Sequence, residues 1–104
     1  MAYRVELTLR AQRDLSELYD YIHAESVPAA GKWYAGLKRT ILSLERLPDR
    51  GEAVRPRARI RRLLYGNKPH IYAVLYRVNK RLKQVDVLHI RHGARDEYTS
   101  GDLG

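Results

Sequence analysis

The stretch Tyr72–Asp96, YAVLYRVNKRLKQVDVLHIRHGARD, decides the fold of this chain. It predicts two strands, Ile71–Val78 and Val85–Arg91, joined by the polar and basic connection Asn79–Gln84. In the first strand apolar side chains occupy both faces, a pattern typical of a central strand that is covered on both sides. The stretch therefore predicts an apolar hairpin at the centre of a sheet.

The second strand of this hairpin leads into a basic corner. Strict alternation predicts that one face of the strand holds Val85, Val87 and His89 and that the other holds Leu88 and Ile90. The strand ends at the segment His92–Asp96, where titratable and cationic side chains lie close together in the sequence. Within it, Gly93 can adopt backbone angles that other residues avoid. We therefore expect the functional site at this corner.

The N-terminal half predicts one strand and two amphipathic helices. A half-buried strand is indicated by the alternation of Tyr3, Val5 and Leu7 with polar residues. Helical spacing relates Ala11, Leu15, Leu18 and Ile22 in the first helix, and Ala30, Trp33, Leu37, Ile41 and Leu44 in the second. The segment Glu52–Arg59 is expected to be a surface loop, and Arg59–Tyr65 a strand that leads to the central hairpin.

These elements predict an α+β fold in the order βααβββ. We expect an antiparallel sheet, made of the N-terminal strand and a three-strand C-terminal meander, packed against an N-terminal helical hairpin. The N-terminal strand either lies beside the last strand or pairs with a sheet edge, and the sequence does not decide between these positions. Residues 1–104 are expected to form one domain, with 97–104 as a flexible acidic tail.

Composition excludes several classes of protein. The 104 residues include no cysteine, which excludes disulfides, thiol catalysis and cysteine-based zinc sites. No apolar run approaches the roughly 20 residues of a membrane span, and no signal-peptide core is present, so we expect a cytoplasmic protein without membrane contact. The histidines have no close carboxylate cluster, and no glycine-rich phosphate loop precedes a helix. We therefore expect neither a metal site nor any other cofactor.

The net charge of +8 is distributed unevenly along the chain. Residues 1–54 hold 8 basic and 8 acidic side chains, whereas 55–95 hold 12 basic side chains and one acid, and 96–104 hold three acids. These segments contribute 0, +11 and −3, which together give +8. The second half therefore predicts a basic surface that favours a polyanionic partner, such as nucleic acid or an acidic protein segment.

Several segments resemble the RelE/ParE superfamily of bacterial toxin–antitoxin proteins. In the second half these are Leu75–Val78, Val87–Ile90 and His92–Asp96, and in the first half Ala11–Leu15, Tyr19–Ile22 and Leu44–Gly51. The predicted order of elements is similar as well. The resemblance covers Tyr3–Asp96 and is nearer to the ParE branch, because the helix segments look more like that branch.

The resemblance implies a toxin that a cognate antitoxin holds inactive. The antitoxin is expected to be ParD-like or another short acidic or amphipathic protein, which suits the basic second half of the chain. A ParE-like toxin would inhibit DNA gyrase by binding, without catalysis, and would meet operator DNA only through the antitoxin. The alternatives are a RelE-like, metal-independent endoribonuclease that cleaves messenger RNA on the ribosome, and an inactive member that binds its antitoxin.

The resemblance also suggests which residues take part. Partner binding is expected from Arg61, Arg62, Arg77, Arg91, His92 and Arg95. A ribonuclease would use Arg62, Arg91, His92, Arg95 and Tyr98 for proton transfer and for stabilising the charge of the transition state. An arginine common in ribonuclease members would fall on Ala73, which favours the gyrase interpretation. Because Arg61 and Arg62 are adjacent in a strand, they are predicted to point to opposite faces.

Overall fold

The computed structural model describes residues 2–93 as two helices packed on a five-stranded sheet. The elements follow in the order β1 (Arg4–Leu7), α1 (Leu9–Tyr21), α2 (Pro28–Leu42), β2 (Glu52–Arg55), β3 (Ile60–Tyr65), β4 (Tyr72–Asn79) and β5 (Gln84–His92). Short 3-10 helices cover Ser43–Glu45 and Pro56–Ala58. The predicted α+β class is confirmed. Between residues 2 and 93, no helix is long and apolar enough to cross a membrane.

Local sequence signals account for the helix boundaries. The hydroxyl of Thr8 accepts a hydrogen bond from the Ala11 N–H (3.1 Å) and so caps the first turn of α1. Pro28 opens α2, where its missing N–H costs nothing because the first-turn N–H groups have no partner within the helix. Each helix turns an apolar stripe toward the sheet, as its spacing predicts.

The sheet is mixed, which corrects the prediction of a purely antiparallel sheet. Its strand order is β1-β5-β4-β3-β2, and β1 runs parallel to β5 while every other pair is antiparallel. The N-terminal strand thus lies beside the last strand. The long connection through both helices and three strands permits a parallel pair, whereas a tight turn allows only an antiparallel one.

The predicted loop Glu52–Arg59 also contains a strand that the sequence did not indicate. Its first part forms β2, which pairs with β3 through Glu52 opposite Arg62 and Ala53 opposite Arg61. The strand is only four residues long and lies at the sheet edge, so it lacks the apolar alternation by which strands are recognised. Pro56 then ends the pairing, since proline has no N–H to donate to a ladder.

A β-bulge in β5 changes the predicted assignment of its two faces. Leu75 of β4 lies opposite His89, and its neighbour Tyr76 lies opposite Val87, so Leu88 is an extra residue. The extra residue shifts the alternation by one position. As a result Ile90 joins Val87 in the core, whereas His89 points to the opposite face, contrary to the strict alternation expected from the sequence.

The main core lies between the helices and the face of the sheet that we call the inner face. Its buried members are Ala11, Leu15, Leu18, Leu37, Ile41 and Leu44 from the helical half, and Leu63, Val74, Tyr76, Val78, Val85, Val87 and Ile90 from the strands. The central strand β4 is also buried on its other face, through Ala73 and Leu75, which are both 0% exposed. The prediction of a central strand covered on both sides is therefore confirmed.

Candidate partner-binding surface

The face of the sheet opposite the helices, which we call the outer face, gathers most of the predicted arginines. Strand register places on it Ile60, Arg62 and Leu64 of β3, Ala73, Leu75 and Arg77 of β4, and Asp86, His89 and Arg91 of β5. Directly paired residues in antiparallel strands project to the same side, so these nine side chains form one surface.

The centre of the outer face is apolar, and its surroundings are cationic. Leu75 lies between Arg62 on one neighbouring strand and His89 on the other, and Ala73 lies opposite Arg91. Arg77 follows Leu75 at the next outward position of the same strand. Ala73 and Leu75 are both 0% exposed, so this face offers a partner its surrounding arginines and Leu64, which is 52% exposed.

Contacts with neighbouring segments of the chain orient two of these arginines. Arg62 forms an ion pair with Glu52, its cross-strand neighbour on β2. The Nε–H of Arg77 donates to the carbonyl of Ala58 at 3.2 Å, and Arg77 also lies opposite Asp86 on β5. β2 was not predicted from the sequence, yet it supplies the carboxylate that orients Arg62.

A partly buried cluster of Asp14, His89 and Arg10 connects α1 to this surface. Arg10 Nη2 lies 3.3 Å from His89 Nε2, and because a guanidinium only donates, Nε2 must accept. The His89 proton is then on Nδ1, which donates to Asp14 Oδ2 at 2.5 Å. The same carboxylate oxygen accepts from the Ile90 N–H at 3.0 Å. The cluster places Arg10 beside the outer face.

The sequence does not predict this cluster, because its members are far apart in the chain. Asp14 and His89 are separated by 75 positions. No spacing rule connects a helix carboxylate to a histidine in another element. The available signal was structural: β1 ends at Leu7, opposite Val87, so the edge of β5 beyond that point needs another partner for its N–H groups. Asp14 supplies it.

Two predicted site residues lie away from the outer face. Arg61 points to the inner side of β3, as its pairing with Tyr76 shows, so the prediction that it and Arg62 face opposite ways is confirmed. Its guanidinium donates to the carbonyls of Gly51 (2.6 Å) and Asp49 (3.2 Å) and lies 3.4 Å from an Asp49 carboxylate oxygen. Arg61 therefore stabilises the turn before β2.

His92 belongs to an aromatic row on the inner side of the sheet. Its ring meets Tyr72 edge to face with centroids 5.0 Å apart, and Trp33 of α2 contacts both Tyr72 (5.4 Å) and Tyr65 (5.1 Å). Burial raises the pKa of Tyr72, with a smaller contribution from Tyr21. His92 is thus separated by the sheet from the outer-face arginines.

A groove nevertheless links the two sides near the end of β5. It encloses about 350 Å³ between α1, which contributes Asp14, Glu17, Leu18 and Tyr21, and the sheet, which contributes Tyr72, Ile90, Arg91 and His92. The groove exists because β1 is too short to cover this part of β5. Its helix side is acidic and its strand side is basic, so it suits a partner segment of mixed charge.

The glycine at the predicted corner has a different role from the one expected. The positive-φ glycine within residues 2–93 is Gly66, not Gly93. Gly93 instead donates its N–H to the Ile71 carbonyl at 2.5 Å, and a Cβ there would lie only 2.8 Å from that oxygen. Close approach of two backbones therefore explains this glycine. The other predicted site residues of this corner, Arg95 and Tyr98, lie outside the described residues.

The described residues, 2–93, contain no group of three His, Asp or Glu side chains arranged to hold a metal ion. The outer face offers the guanidinium groups of Arg62, Arg77 and Arg91. Such a surface can bind carboxylates or phosphates through charge-assisted hydrogen bonds.

This fold and this surface are those of a small toxin from a toxin–antitoxin pair. The sequence model of the family "ParE toxin of type II toxin–antitoxin system, parDE" matches residues 5–97, and the chain belongs to that family. No curated protein sequence matches the chain significantly.

Solved structures agree with this assignment. The chain is similar to one from the toxin–antitoxin complex RelBE2 of Mycobacterium tuberculosis, with 25% identity and a TM-score of 0.61 over 88% of this chain and 99% of that one. It also resembles a chain of the chromosomal ParDE system from P. aeruginosa, with 20% identity and a TM-score of 0.66 over 88% and 96%. A mutant of the E. coli toxin RelE in the free state aligns with 16% identity and a TM-score of 0.64 over 92% and 90%.

Proposed function

We propose that this toxin inhibits DNA gyrase by binding to it, and that a cognate antitoxin neutralises it by occupying the outer face. The observation that carries the proposal is the composition of that face. Ala73 and Leu75 are buried beneath it, Leu64 is exposed on it, and Arg62, Arg77 and Arg91 lie around them. Arginines beside an exposed leucine support docking of a protein with an acidic or amphipathic segment, because opposite charge steers association.

Two features of the face support binding rather than RNA cleavage. Ala73 occupies the position where the superfamily resemblance would place an arginine in many ribonuclease members, and it cannot stabilise a developing negative charge. The nearest histidine, His89, has both ring nitrogens engaged, one by Asp14 and one by Arg10. It therefore lacks a free nitrogen for general acid–base catalysis.

A charge-removal experiment on the outer face tests this proposal. The double variant Arg62→Gln/Arg91→Gln removes two rim cations, and Arg13→Gln/Arg39→Gln removes two exposed helix cations as a control with the same net charge. We expect the first variant to require at least about ten times more protein to inhibit gyrase supercoiling, since a contact to a charged group is worth about 1.5–3 kcal/mol. The control is expected to act like the parent protein.

Other outcomes would indicate a different function for this protein. Equal inhibition by both variants would remove the outer face from the mechanism. Cleavage of messenger RNA on translating ribosomes, abolished by Arg62→Gln/Arg91→Gln, would replace gyrase by the ribosome as the target. Antitoxin binding without any growth arrest would make this chain an inactive member of its family.

A further inference from the structure

A second basic surface lies at one end of the sheet, away from His92. β3 begins at Ile60, which is paired with Arg77, close to the point where β4 ends at Asn79. The 3-10 segment before β3 and the turn between β4 and β5 therefore meet at this end of the sheet. We call this region, residues 55–61 and 80–83, the hairpin end.

The hairpin end is almost entirely cationic. The segments RPRARIR (55–61) and KRLK (80–83) hold seven basic side chains and no acid. The exposed members are Arg57, Arg59, Lys80, Arg81 and Lys83. Asp49, from the turn before β2, pairs with two of these cations, lying 3.7 Å from Lys80 and 3.4 Å from Arg61. The two segments themselves contribute a formal charge of +7.

A cleft of about 420 Å³ brings the two segments together. Its lining includes Arg59 and Arg61 from one segment and Lys80 from the other, with Asp49 at its rim. Among the apolar residues of its lining, Ile60 and Val78 are buried, with 2% and 4% exposure, whereas Ala53 and Pro56 are exposed. The cleft therefore presents its cations beside small apolar side chains.

The backbone at both segments adopts a conformation that favours glycine. Arg59 has φ 58° and Lys83 has φ 52°, both in the left-handed region. For a residue with a side chain this conformation costs on the order of 1–2 kcal/mol. Cations thus occupy two positions at this end where glycine or asparagine would fit the backbone more easily, which fits a role for their charge.

From this cleft and its charge, we propose that the hairpin end binds the phosphate backbone of double-stranded DNA directly. Clustered Lys and Arg side chains bind duplexes by displacing counterions from phosphates, without need of an apolar anchor. A single strand would be held by stacking on aromatic side chains, and none of the aromatic residues between positions 2 and 93 lines the cleft. An acidic protein would bind around an exposed apolar anchor, and the exposed leucine of this end, Leu82, does not line the cleft.

This inference goes beyond the proposed action on gyrase and does not depend on it. The hairpin end adjoins the outer face at Ile60, but its exposed cations are not among the nine side chains of that face, so a toxin docked through its outer face leaves these cations open to DNA. The family resemblance implies contact with operator DNA only through the antitoxin. A direct backbone contact adds an interaction that requires no antitoxin and reads no base sequence.

The test compares two triple variants of the full chain that have the same reduced net charge. Arg59→Gln/Lys80→Gln/Arg81→Gln alters the hairpin end, and Arg13→Gln/Lys32→Gln/Arg39→Gln removes two arginines and one lysine from exposed helix positions. Binding to a fluorescent duplex of arbitrary sequence is measured by anisotropy across a salt series. Circular dichroism and urea unfolding verify that both variants are folded.

We expect the hairpin-end variant to bind the duplex at least about tenfold more weakly than the helix variant at low salt. Its slope of log affinity against log salt should fall by about 0.9 for each phosphate that the variant no longer neutralises. Equal weakening of both variants would overturn the proposal, because binding would then follow net charge alone. Tighter binding to a single strand, or to a polyglutamate peptide of matched charge, would also overturn it. Both variants leave the outer face unaltered, so their inhibition of gyrase tests the proposed function separately from DNA binding.

Discussion

At the residue scale, a few buried polar groups join elements that are far apart in the sequence. Asp14 accepts hydrogen bonds from the His89 ring and from the Ile90 N–H, and Tyr76 receives the Gly51 N–H at its hydroxyl. Each contact satisfies a donor that would otherwise be buried without a partner, which is costly in a protein interior. These residues are therefore expected to matter more for stability than the surface ion pairs.

Asp14→Asn is expected to lower the free energy of unfolding by about 1–3 kcal/mol, because the amide keeps the shape of the carboxylate but loses its charge-assisted hydrogen bonds. Asp20→Asn, on the exposed side of the same helix, is the matched control and should change stability by less than about 0.5 kcal/mol. Urea unfolding followed by circular dichroism measures both. Equal stability of the two variants would show that the Asp14 cluster contributes nothing.

Tyr76→Phe is expected to cost about 1–3 kcal/mol, because it leaves the buried Gly51 N–H without an acceptor. Tyr76 is 0% exposed, so water cannot replace the lost hydroxyl. Tyr21→Phe, at a side chain 78% exposed, serves as the control and should be nearly neutral. The prediction fails if the two variants unfold at the same urea concentration.

Stability should also fall in alkali. Burial raises the pKa of Tyr76 above its ordinary value of 10.0, although the Gly51 hydrogen bond opposes this, and burial acts in the same direction on the pKa of Tyr72 and of Tyr34. Above pH 10 the unfolded chain loses these protons first, so it binds fewer protons than the folded chain and unfolding becomes more favourable. Below pH 10 the contribution of these groups to the free energy of unfolding does not change with pH.

Urea midpoints measured between pH 8 and 11 test this dependence. The decline above pH 10 is expected to be shallower in Tyr76→Phe than in the parent protein, because one of the groups with a raised pKa is absent. The same variant should show the parent's slope between pH 8 and 9. An identical slope throughout would assign the alkaline loss to other groups.

At the scale of elements, hydrophobic periodicity was sufficient for the helices and the central strands. The stripes of α1 and α2, except Ala30, and the doubly apolar β4 lie in the core or pack against it, as their spacing predicts. Periodicity failed for β2, which is short and polar, and for β5, where one extra residue shifts the alternation. Neither an edge strand nor a bulge has a pattern that a single sequence displays clearly.

The bulge at Leu88 has a direct consequence for the candidate surface. Under strict alternation, His89 would share the inner face with Val87, and Arg91 would lie on that same side. With the bulge, both His89 and Arg91 point to the outer face, opposite Leu75 and Ala73. A local irregularity therefore completes the cationic rim, in keeping with the frequent occurrence of bulges at functional sites.

The packing of α2 on β3 depends on a glycine that the helix would otherwise disfavour. A Cβ at Gly36 would collide with Tyr65 Oη, and the Tyr65 hydroxyl donates to the Trp33 carbonyl at 2.8 Å. Gly36→Ala is therefore expected to destabilise the protein by about 1–3 kcal/mol through overpacking. This loss exceeds the gain of up to about 1 kcal/mol in helix propensity.

A double-mutant cycle tests this packing. Tyr65→Phe alone should cost about 1 kcal/mol, since it removes the hydrogen bond to Trp33. In the Gly36→Ala background the same change should stabilise, because the nearest remaining ring atom lies 3.2 Å from the new Cβ. Urea unfolding of the four proteins gives the coupling energy. Additive effects would exclude a steric conflict between these two positions.

At the scale of the whole molecule, the charge of the second half divides between two surfaces. Arg62, Arg77 and Arg91 lie on the outer face, whereas Arg59 and Lys80 lie at the hairpin end. Composition predicted a basic protein with a polyanionic partner, but it could not separate these surfaces, because the division depends on strand register. Strand register also explains why Arg61, although it is next to Arg62, contacts the turn before β2 and does not lie on the outer face.

The central claim is that the toxin acts by binding DNA gyrase. The most direct measurement adds the purified protein to gyrase with relaxed plasmid and ATP, and follows both supercoiled product and linear DNA released by denaturant. We predict inhibited supercoiling with accumulation of broken DNA, both prevented by an equimolar amount of the cognate antitoxin. Unaffected gyrase, together with cleavage of messenger RNA on translating ribosomes, would contradict the account.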